Sequence, residues 1–416
     1  MNIYNAMAGR TISKVMLLSL FIDELNIFAV PMMSIFMEQS LHFGTAFLGI
    51  VTGATVGGAA IGSLLGGKLT DYFGRKKLFL VNLSLFLFSA IMSALSSNIA
   101  MLASFRFLAG IPAGSDIANV YCYIMETQKP GNREIIGAYN TLMATLAILT
   151  LNIWVVILLV SGFSENFVWK TSFLIQIIPI IILFSLYSKL PESSMWKSVN
   201  EKTTYRRFLK KLWNNSFLRR TSLYSWSSGI ASGIEVGTFA FFIPYIILKF
   251  GITGMVHDRL IIIAVYFIGI PAGYIGPKMI PKTGLRKLSY YGFMLSFAGL
   301  IFSGLALIFN VYIVLPATMM VFVWGNHWNN QPIIISQALV TNAESRGKAV
   351  GISNFVYQFP SFLSITVFPI MFSIIGIGLS TIVVAMASLF GIIITFTVFR
   401  EIYGYDGDIY KTPHGN

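Results

Sequence analysis

The sequence predicts an all-α membrane protein in which twelve transmembrane helices form two pseudo-symmetric halves of six. Three observations carry this expectation. The chain of 416 residues is 56% hydrophobic and holds 35 Phe against 16 Asp plus Glu, far from the usage of soluble domains. Apolar stretches able to cross a ~30 Å hydrocarbon core, about 20 helical residues each, recur at approximately 13–36, 45–66, 78–97, 99–125, 135–161, 167–189, 219–248, 258–280, 287–309, 311–340, 347–374 and 377–399. The one long polar segment, "KLPESSMWKSVNEKTTYRRFLKKLWNNSFLRR" with nine basic and two acidic residues, divides these stretches six and six. The expected domains are a first half over 1–189, a basic linker over 190–217, a second half over 218–400 and a short tail over 401–416.

A net charge of +13 suggests nucleic acid until the cations are sorted by loop. With both termini placed in the cytoplasm, only Lys170, Lys249 and Arg259 fall outside and Arg106 falls within a span, leaving the other 25 of 29 Lys and Arg cytoplasmic. That asymmetry follows the positive-inside rule, so a multi-pass protein of the cell membrane is expected, with the bilayer and no nucleic acid as its surroundings. Asp23 and Glu24 interrupt what would be a signal-peptide core, so no segment is expected to be removed. Cys122 is the single cysteine and excludes an internal disulfide.

The first basic hairpin, "GGKLTDYFGRKK" at 66–77, follows a run of small residues. Gly53 and Gly57, and Gly58, Gly62 and Gly66, recur every four residues, which gives span 2 a smooth face for close approach of another helix. Gly74 permits the tight turn into span 3. Asp71 is placed to accept hydrogen bonds from a neighbouring helix N-terminus or from Arg133. A degraded copy, "IGPKMIPKTGLRK" at 275–287, occupies the corresponding hairpin of the second half, with Gly284 matching Gly74 and Pro281 standing where Asp71 stands. In the linker, Phe208, Leu209, Leu212 and Trp213 among cations suggest short helices at the anionic inner leaflet. Parallel repeats of this kind are common in secondary transporters, where the substrate path runs between the halves.

Four blocks carry a family resemblance. Gly67, Asp71, Gly74, Arg75 and Lys76 resemble the cytoplasmic signature of the major facilitator superfamily. "FRFLAGIPAG" with Arg106, Gly110 and Gly114, followed by "YIMETQKPGNR" with Tyr123, Glu126 and Arg133, is similar to its sugar-porter branch. "VWKTSFLIQIIP" and then "LPESSMW", with Pro191, Glu192 and Ser193, resemble that branch's span 6 and its exit; "AESRGKAVG", with Arg346 and Gly347, is the second-half counterpart. The resemblance implies the major facilitator fold, and implies that Gly67, Asp71, Gly74, Arg75, Glu126, Arg133, Glu192 and Arg346 form a cytoplasmic gate. The alternative for the hairpin is a topological anchor.

Charges at membrane depth are costly unless paired or hydrated. Asp23 lies roughly 16 Å above the cytoplasmic start of span 1 at helical rise, and Arg106 lies about eight residues below the outer start of span 4, so the two are within reach in a ~30 Å core. The resemblance makes them the branch's proton-coupling pair; a static ion pair is the alternative. Glu235 in span 7 is a further proton-coupling candidate. Ser232 and Gly237 stand where the branch carries sugar-binding side chains, and Gln176 stands where proton-coupled members often carry a carboxylate. Span 10 contains "WGNHWNNQP", in which Trp324, Trp328 and Gln331 share a face with His327 beside them. Such a cluster suits hydroxylated or planar solutes, or else interhelical hydrogen bonding. Asn140, Gln176, Asn354, Tyr357 and Gln358 are the remaining substrate-binding candidates.

No phosphate-cradling loop, metal-spaced cluster or nucleophile motif is present, so neither an enzyme nor a cofactor is expected. The expectation is a monomeric secondary transporter of a small polar solute, a sugar or related metabolite on the family resemblance, with proton symport. The alternatives are an organic-acid or aromatic-acid symporter, in which Arg106 binds a substrate carboxylate, and a non-transporting nutrient sensor. The latter usually carries a long cytoplasmic tail.

Overall fold

The computed structural model describes residues 3–41, 45–199, 203–250 and 254–408, and among these no strand occurs. The expected linker residues 200–202 and tail residues 409–416 lie outside the described residues, as do 1–2. The helices are α1 (Ile3–Leu41), α2 (Thr45–Phe73), α3 (Arg75–Ala94), α4 (Ile99–Thr127), α5 (Asn132–Ala138), α6 (Asn140–Val160), α7 (Glu165–Leu174), α8 (Ile177–Lys189), α9 (Ser194–Lys197), α10 (Tyr205–Asn214), α11 (Ser216–Glu235), α12 (Phe241–Phe250), α13 (Met255–Phe267), α14 (Gly269–Ile308), α15 (Leu315–Val340), α16 (Arg346–Ile375) and α17 (Ile377–Thr397). Among the described residues, nine helical stretches have the length and apolarity to cross a membrane. One of them, Val256–Ile308, has 53 residues, far beyond the ~20 needed for one crossing, and breaks at Gly284, whose φ is 77° and ψ 168°. α4 and α15, of 29 and 26 residues, have the length without the unbroken apolarity. The protein is therefore an all-helical, multi-pass membrane protein.

The end of the molecule bearing the 74 turn and the 189–216 segment is its basic face. Here the two hairpins repeat one device. Gly74 (φ 95°) turns α2 into α3, and the Glu192 carboxylate accepts from the N–H groups of Arg75 and Lys76 at 3.0 and 3.1 Å. Gly284 turns within α14, and the Glu401 carboxylate accepts from Leu285 and Arg286 N–H at 3.0 Å each. Both glycines have φ values that L side chains rarely adopt, and each following helix opens with unsatisfied N–H groups that a carboxylate stabilises. Glu401 thus repeats Glu192, although Pro281 has replaced the acidic position of the first hairpin.

The glycines of α2 serve two neighbours rather than one. Gly58, Gly62 and Gly66 face the α4 backbone, while Gly53 and Gly57 face the Phe362 ring of α16. Gly67 faces α16 as well: a Cβ there would stand 2.5 Å from the Gly347 carbonyl oxygen and 3.1 Å from Gly351 Cα. Lipid supplies no hydrophobic drive for helix association, so backbone approach of this kind does the packing. α11 passes through a π-helical turn at Val236–Ala240 before α12.

The linker forms α9 and α10. Phe208 and Leu212 are buried against Ala349 of α16, and Tyr205 Oη donates to the Leu64 carbonyl at 2.7 Å. These two apolar side chains therefore pack on the protein, while Trp213 is half exposed. Glu192→Ala and Glu401→Ala each delete a carboxylate that holds the first N–H groups of the following helix as well as backbone N–H groups beside itself, and should destabilise by about 1.5–3 kcal/mol. Melting of the purified protein in detergent checks this; a wild-type melting temperature in Glu401→Ala would mean that its bonds contribute nothing.

Candidate functional site

All the sequence-predicted gate residues lie in one polar layer at the basic face. Asp71, near the end of α2, accepts from the N–H groups of Gly347 and Lys348 at 3.1 Å each and from Lys348 Nζ at 2.8 Å. A carboxylate at the first turn of α16 meets free donors and the positive end of the helix dipole. Arg133, the other anticipated partner of Asp71, instead bonds Asp406 at 3.2 Å and the Tyr405 carbonyl at 2.6 Å. Glu126 on α4 accepts from Arg75 Nη2 at 2.5 Å, Arg346 Nη1 at 3.3 Å and Ser193 Oγ at 2.5 Å. The buried Arg346 also reaches Asp408 and the Thr341 carbonyl.

Asp406 and Asp408 were not singled out in the sequence. The 403–408 segment crosses the basic face, with Gly407 N–H donating to the Leu339 carbonyl at 2.9 Å and Gly404 N–H donating to Glu134 at 3.2 Å. The available signal was the acidic "YDGD" beside an otherwise basic face.

Inside the membrane the anticipated Asp23–Arg106 pair is not formed. Arg106 Nη2 donates to Asn26 Oδ1 at 3.1 Å, and its guanidinium stands 4.8 Å from the Phe173 ring centre. Asn26 is almost one turn beyond Asp23 on α1, so Arg106 meets the same face of α1 about 4.5 Å further along its axis. Both Asp23 carboxylate oxygens are buried without a hydrogen-bond partner. Glu235 is buried too, but accepts from Asn326 at 3.1 Å, Asn329 at 2.9 Å and Ser388 at 2.6 Å.

A narrow cavity of about 70 Å³ lies between α1, α4 and α6 on one side and the π-helical turn, α12, α13, α15 and α16 on the other. Glu24, Asn140, Asn326, His327, Asn330, Asn354, Tyr357 and Gln358 supply its polar lining, and Phe28, Phe241 and Tyr266 its aromatic lining. Five of the anticipated substrate-binding residues, Asn140, His327, Asn354, Tyr357 and Gln358, are thus gathered. Trp324, Trp328, Gln331 and Gln176 are not among the lining residues. Trp328 Nε1 donates to the Ala272 carbonyl at 3.1 Å, Gln331 to Thr141 at 3.1 Å, and Gln176 to the Phe173 carbonyl at 2.9 Å. The rotation of α15 turns Asn326, His327 and Asn330 inward instead. Asn326 and Asn330 belong to the polar run of span 10 but lie off the face chosen from its tryptophans.

At the end away from the basic face, Arg259 of α13 reaches across to α1 and α6. Its Nη1 donates to the Met32 carbonyl at 2.7 Å and to Asn152 Oδ1 at 3.1 Å. Polar contacts therefore join early and late helices both at the basic face and at the opposite end.

A family model described as the Major Facilitator Superfamily matches residues 16–365. The chain belongs to the Major Facilitator Superfamily. It is 36% identical over 149 residues to the putative metabolite transport protein YncC of Bacillus subtilis, covering 36% of this chain and 31% of that one. It is 30% identical over 165 residues to the major myo-inositol transporter IolT of the same organism, covering 39% and 35%. The chain thus matches about a third of the length of these relatives. The solved structure of the proton:xylose symporter XylE bound to 6-bromo-6-deoxy-D-glucose superposes with a TM-score of 0.84 at 17% identity, over 97% of this chain and 98% of that one. That likeness is one of fold.

Within this superfamily member, Asp71 joins α2 to the start of α16 through three bonds. Asp71→Asn removes the ion pair and should widen the α2–α16 seam in about ten- to a hundredfold more molecules, for a contact worth about 1.5–3 kcal/mol. Distances between spin labels at the basic-face ends of α2 and α16 report this; Lys282, in the degraded hairpin, should be nearly silent. An unchanged distribution in Asp71→Asn would leave the hairpin a topological anchor.

Proposed function

We propose that the protein is a secondary transporter of the cytoplasmic membrane that carries a small uncharged hydroxylated solute, a sugar or polyol, in symport with protons. The basic face is then cytoplasmic, as are both termini, in accord with the loop charges. Transport proceeds by alternating access, the contacts at the two ends of the molecule opening in turn. The chain works as a monomer.

The composition of the cavity carries the choice of solute. Among its lining residues, Glu24 is the one carboxylate and there is no Lys or Arg, whereas Asn and Gln amides and a tyrosine hydroxyl are plentiful. Amides and hydroxyls satisfy the many donors and acceptors of a polyol, and phenyl rings cover its apolar faces. A carboxylate solute finds no cation, because Arg106 is held outside the cavity by Asn26, and this disfavours the organic-acid reading. The names of the relatives, a metabolite transport protein and a myo-inositol transporter, point the same way. Asp71, Arg75, Glu126, Arg133 and Arg346, with Gly67, Gly74 and Glu192 shaping the turn, act as the cytoplasmic gate. Asp23 is the proton carrier.

Purified protein reconstituted in vesicles tests this with D-xylose, D-glucose and myo-inositol against a panel of carboxylic acids. A polyol or sugar should accumulate when the outside is made acidic, and Gln358→Ala or Asn330→Ala should weaken its binding by roughly 1–3 kcal/mol. Asp23→Asn should abolish accumulation while leaving exchange between equal concentrations. Accumulation of carboxylic acids alone would overturn the solute assignment, and wild-type accumulation in Asp23→Asn would remove Asp23 from coupling.

A further inference from the structure

Away from the cavity, the first half of the chain contains a second set of buried polar groups. Asp116 of α4 is buried; its Oδ2 accepts from Ser19 Oγ of α1 and its Oδ1 from Asn82 Nδ2 of α3 at 3.1 Å. Ser19 precedes Asp23 by one turn, and residues four apart share a helix face at a rise of about 6 Å. Ser19, bonded to Asp116, therefore shares a face of α1 with Asp23. Both Asp23 oxygens are unpartnered at 0% exposure. The Tyr187 hydroxyl of α8, also buried and unpartnered, faces Ser19 and Asp116.

Toward the basic face the polar set ends at Tyr187, whose ring stacks on Phe79 at 4.2 Å. The other charged neighbour of Asp23 is Glu24, which lines the cavity, and the nearby cation Arg106 is engaged by Asn26. None of Asp23, Ser19, Asn82, Asp116 or Tyr187 lines the cavity. Two carboxylates without a cation in an apolar interior carry a heavy cost if both are ionised, and a proton held on the pair relieves it.

We propose that Asp116 is a second proton-binding group, exchanging a proton with Asp23 through the Ser19 hydroxyl apart from the solute cavity. The proposal rests on the symport reading above. In the transfer, the protonated Asp23 carboxyl turns onto the Ser19 hydroxyl one helical turn away; its O–H bond breaks as the Ser19 oxygen takes that proton and gives its own to the Asp116 carboxylate. Asp23 is left ionised and Asp116 protonated. No electron changes hands.

The test needs no solute. Proton release by purified protein in detergent, taken from about pH 5 to about pH 9, is counted with the dye pyranine in choline chloride. Wild type should release about one proton more per molecule than Asp116→Asn, because removing one of two coupled carboxyls removes one titrating site. Asp116→Glu should restore the count, which separates loss of the carboxyl from loss of the fold. Tyr187→Phe should keep the count. Equal counts in wild type and Asp116→Asn would overturn the proposal. Proton release elicited by sodium in wild type and absent in Asp116→Asn would replace it with a sodium site. Failure of vesicle uptake would leave these counts untouched, and failure here would leave the solute assignment standing.

Discussion

Close backbone contact along α2 is the constraint on which the rest of the molecule depends. In lipid an apolar side chain gains nothing by leaving the hydrocarbon for another helix, so association relies on fit. α2 provides that fit on two sides, with Gly58, Gly62 and Gly66 against α4 and Gly53, Gly57 and Gly67 toward α16. The first contact joins helices of the same half, the second helices of different halves. Because Gly67 and Gly351 let α2 and α16 touch at the backbone, Asp71 reaches the N–H groups of Gly347 and Lys348. A larger residue at Gly67 would separate the helices and leave Asp71 without those donors.

The second organising cost is that of charge away from water. At the basic face this cost is met by mutual pairing: Arg75 and Arg346 share Glu126, while Arg133 and Arg346 take the tail carboxylates Asp406 and Asp408. Deeper in the bundle it is met differently at each site. Glu235 is surrounded by amide and hydroxyl donors, Arg106 by an asparagine and a ring, and Arg259 by a carbonyl and an asparagine. Asp23 alone among these has no donor at either oxygen. An arrangement that leaves one buried carboxylate unsatisfied is suited to a group that changes protonation, which is why the coupling proposals converge on α1 and its neighbour Asp116.

Much of this was legible in the sequence, and the exceptions share a cause. Helical character, crossing lengths and the concentration of cations at one end follow from composition and local pattern, because a span must satisfy its own backbone bonds wherever it lies. The turn at Gly284 was readable from its likeness to the 66–77 hairpin, but Glu401, which completes that turn, lies 117 residues away in a stretch with no repeat signal. The polar run of span 10 announced a polar interior. Of its inward-facing members His327 was anticipated, whereas Asn326 and Asn330 emerged only with the rotation of α15, since successive residues point about 100° apart and a small rotation exchanges Trp328 for its neighbours.

The sequence by itself determined that this chain is a bundle of membrane helices, which end carries the cations, and which glycines allow helices to touch. Those properties depend on the energy of each segment in its solvent. Tertiary structure alone decided which charge meets which partner. Arg106 bonds Asn26 rather than Asp23, Arg133 bonds Asp406 rather than Asp71, and Asp116 binds Ser19 and Asn82. A hydrogen bond tolerates a few tenths of an ångström, whereas one helical turn is 5.4 Å; the depth and rotation that select among partners one turn apart are set by the packing of every other helix in the bundle.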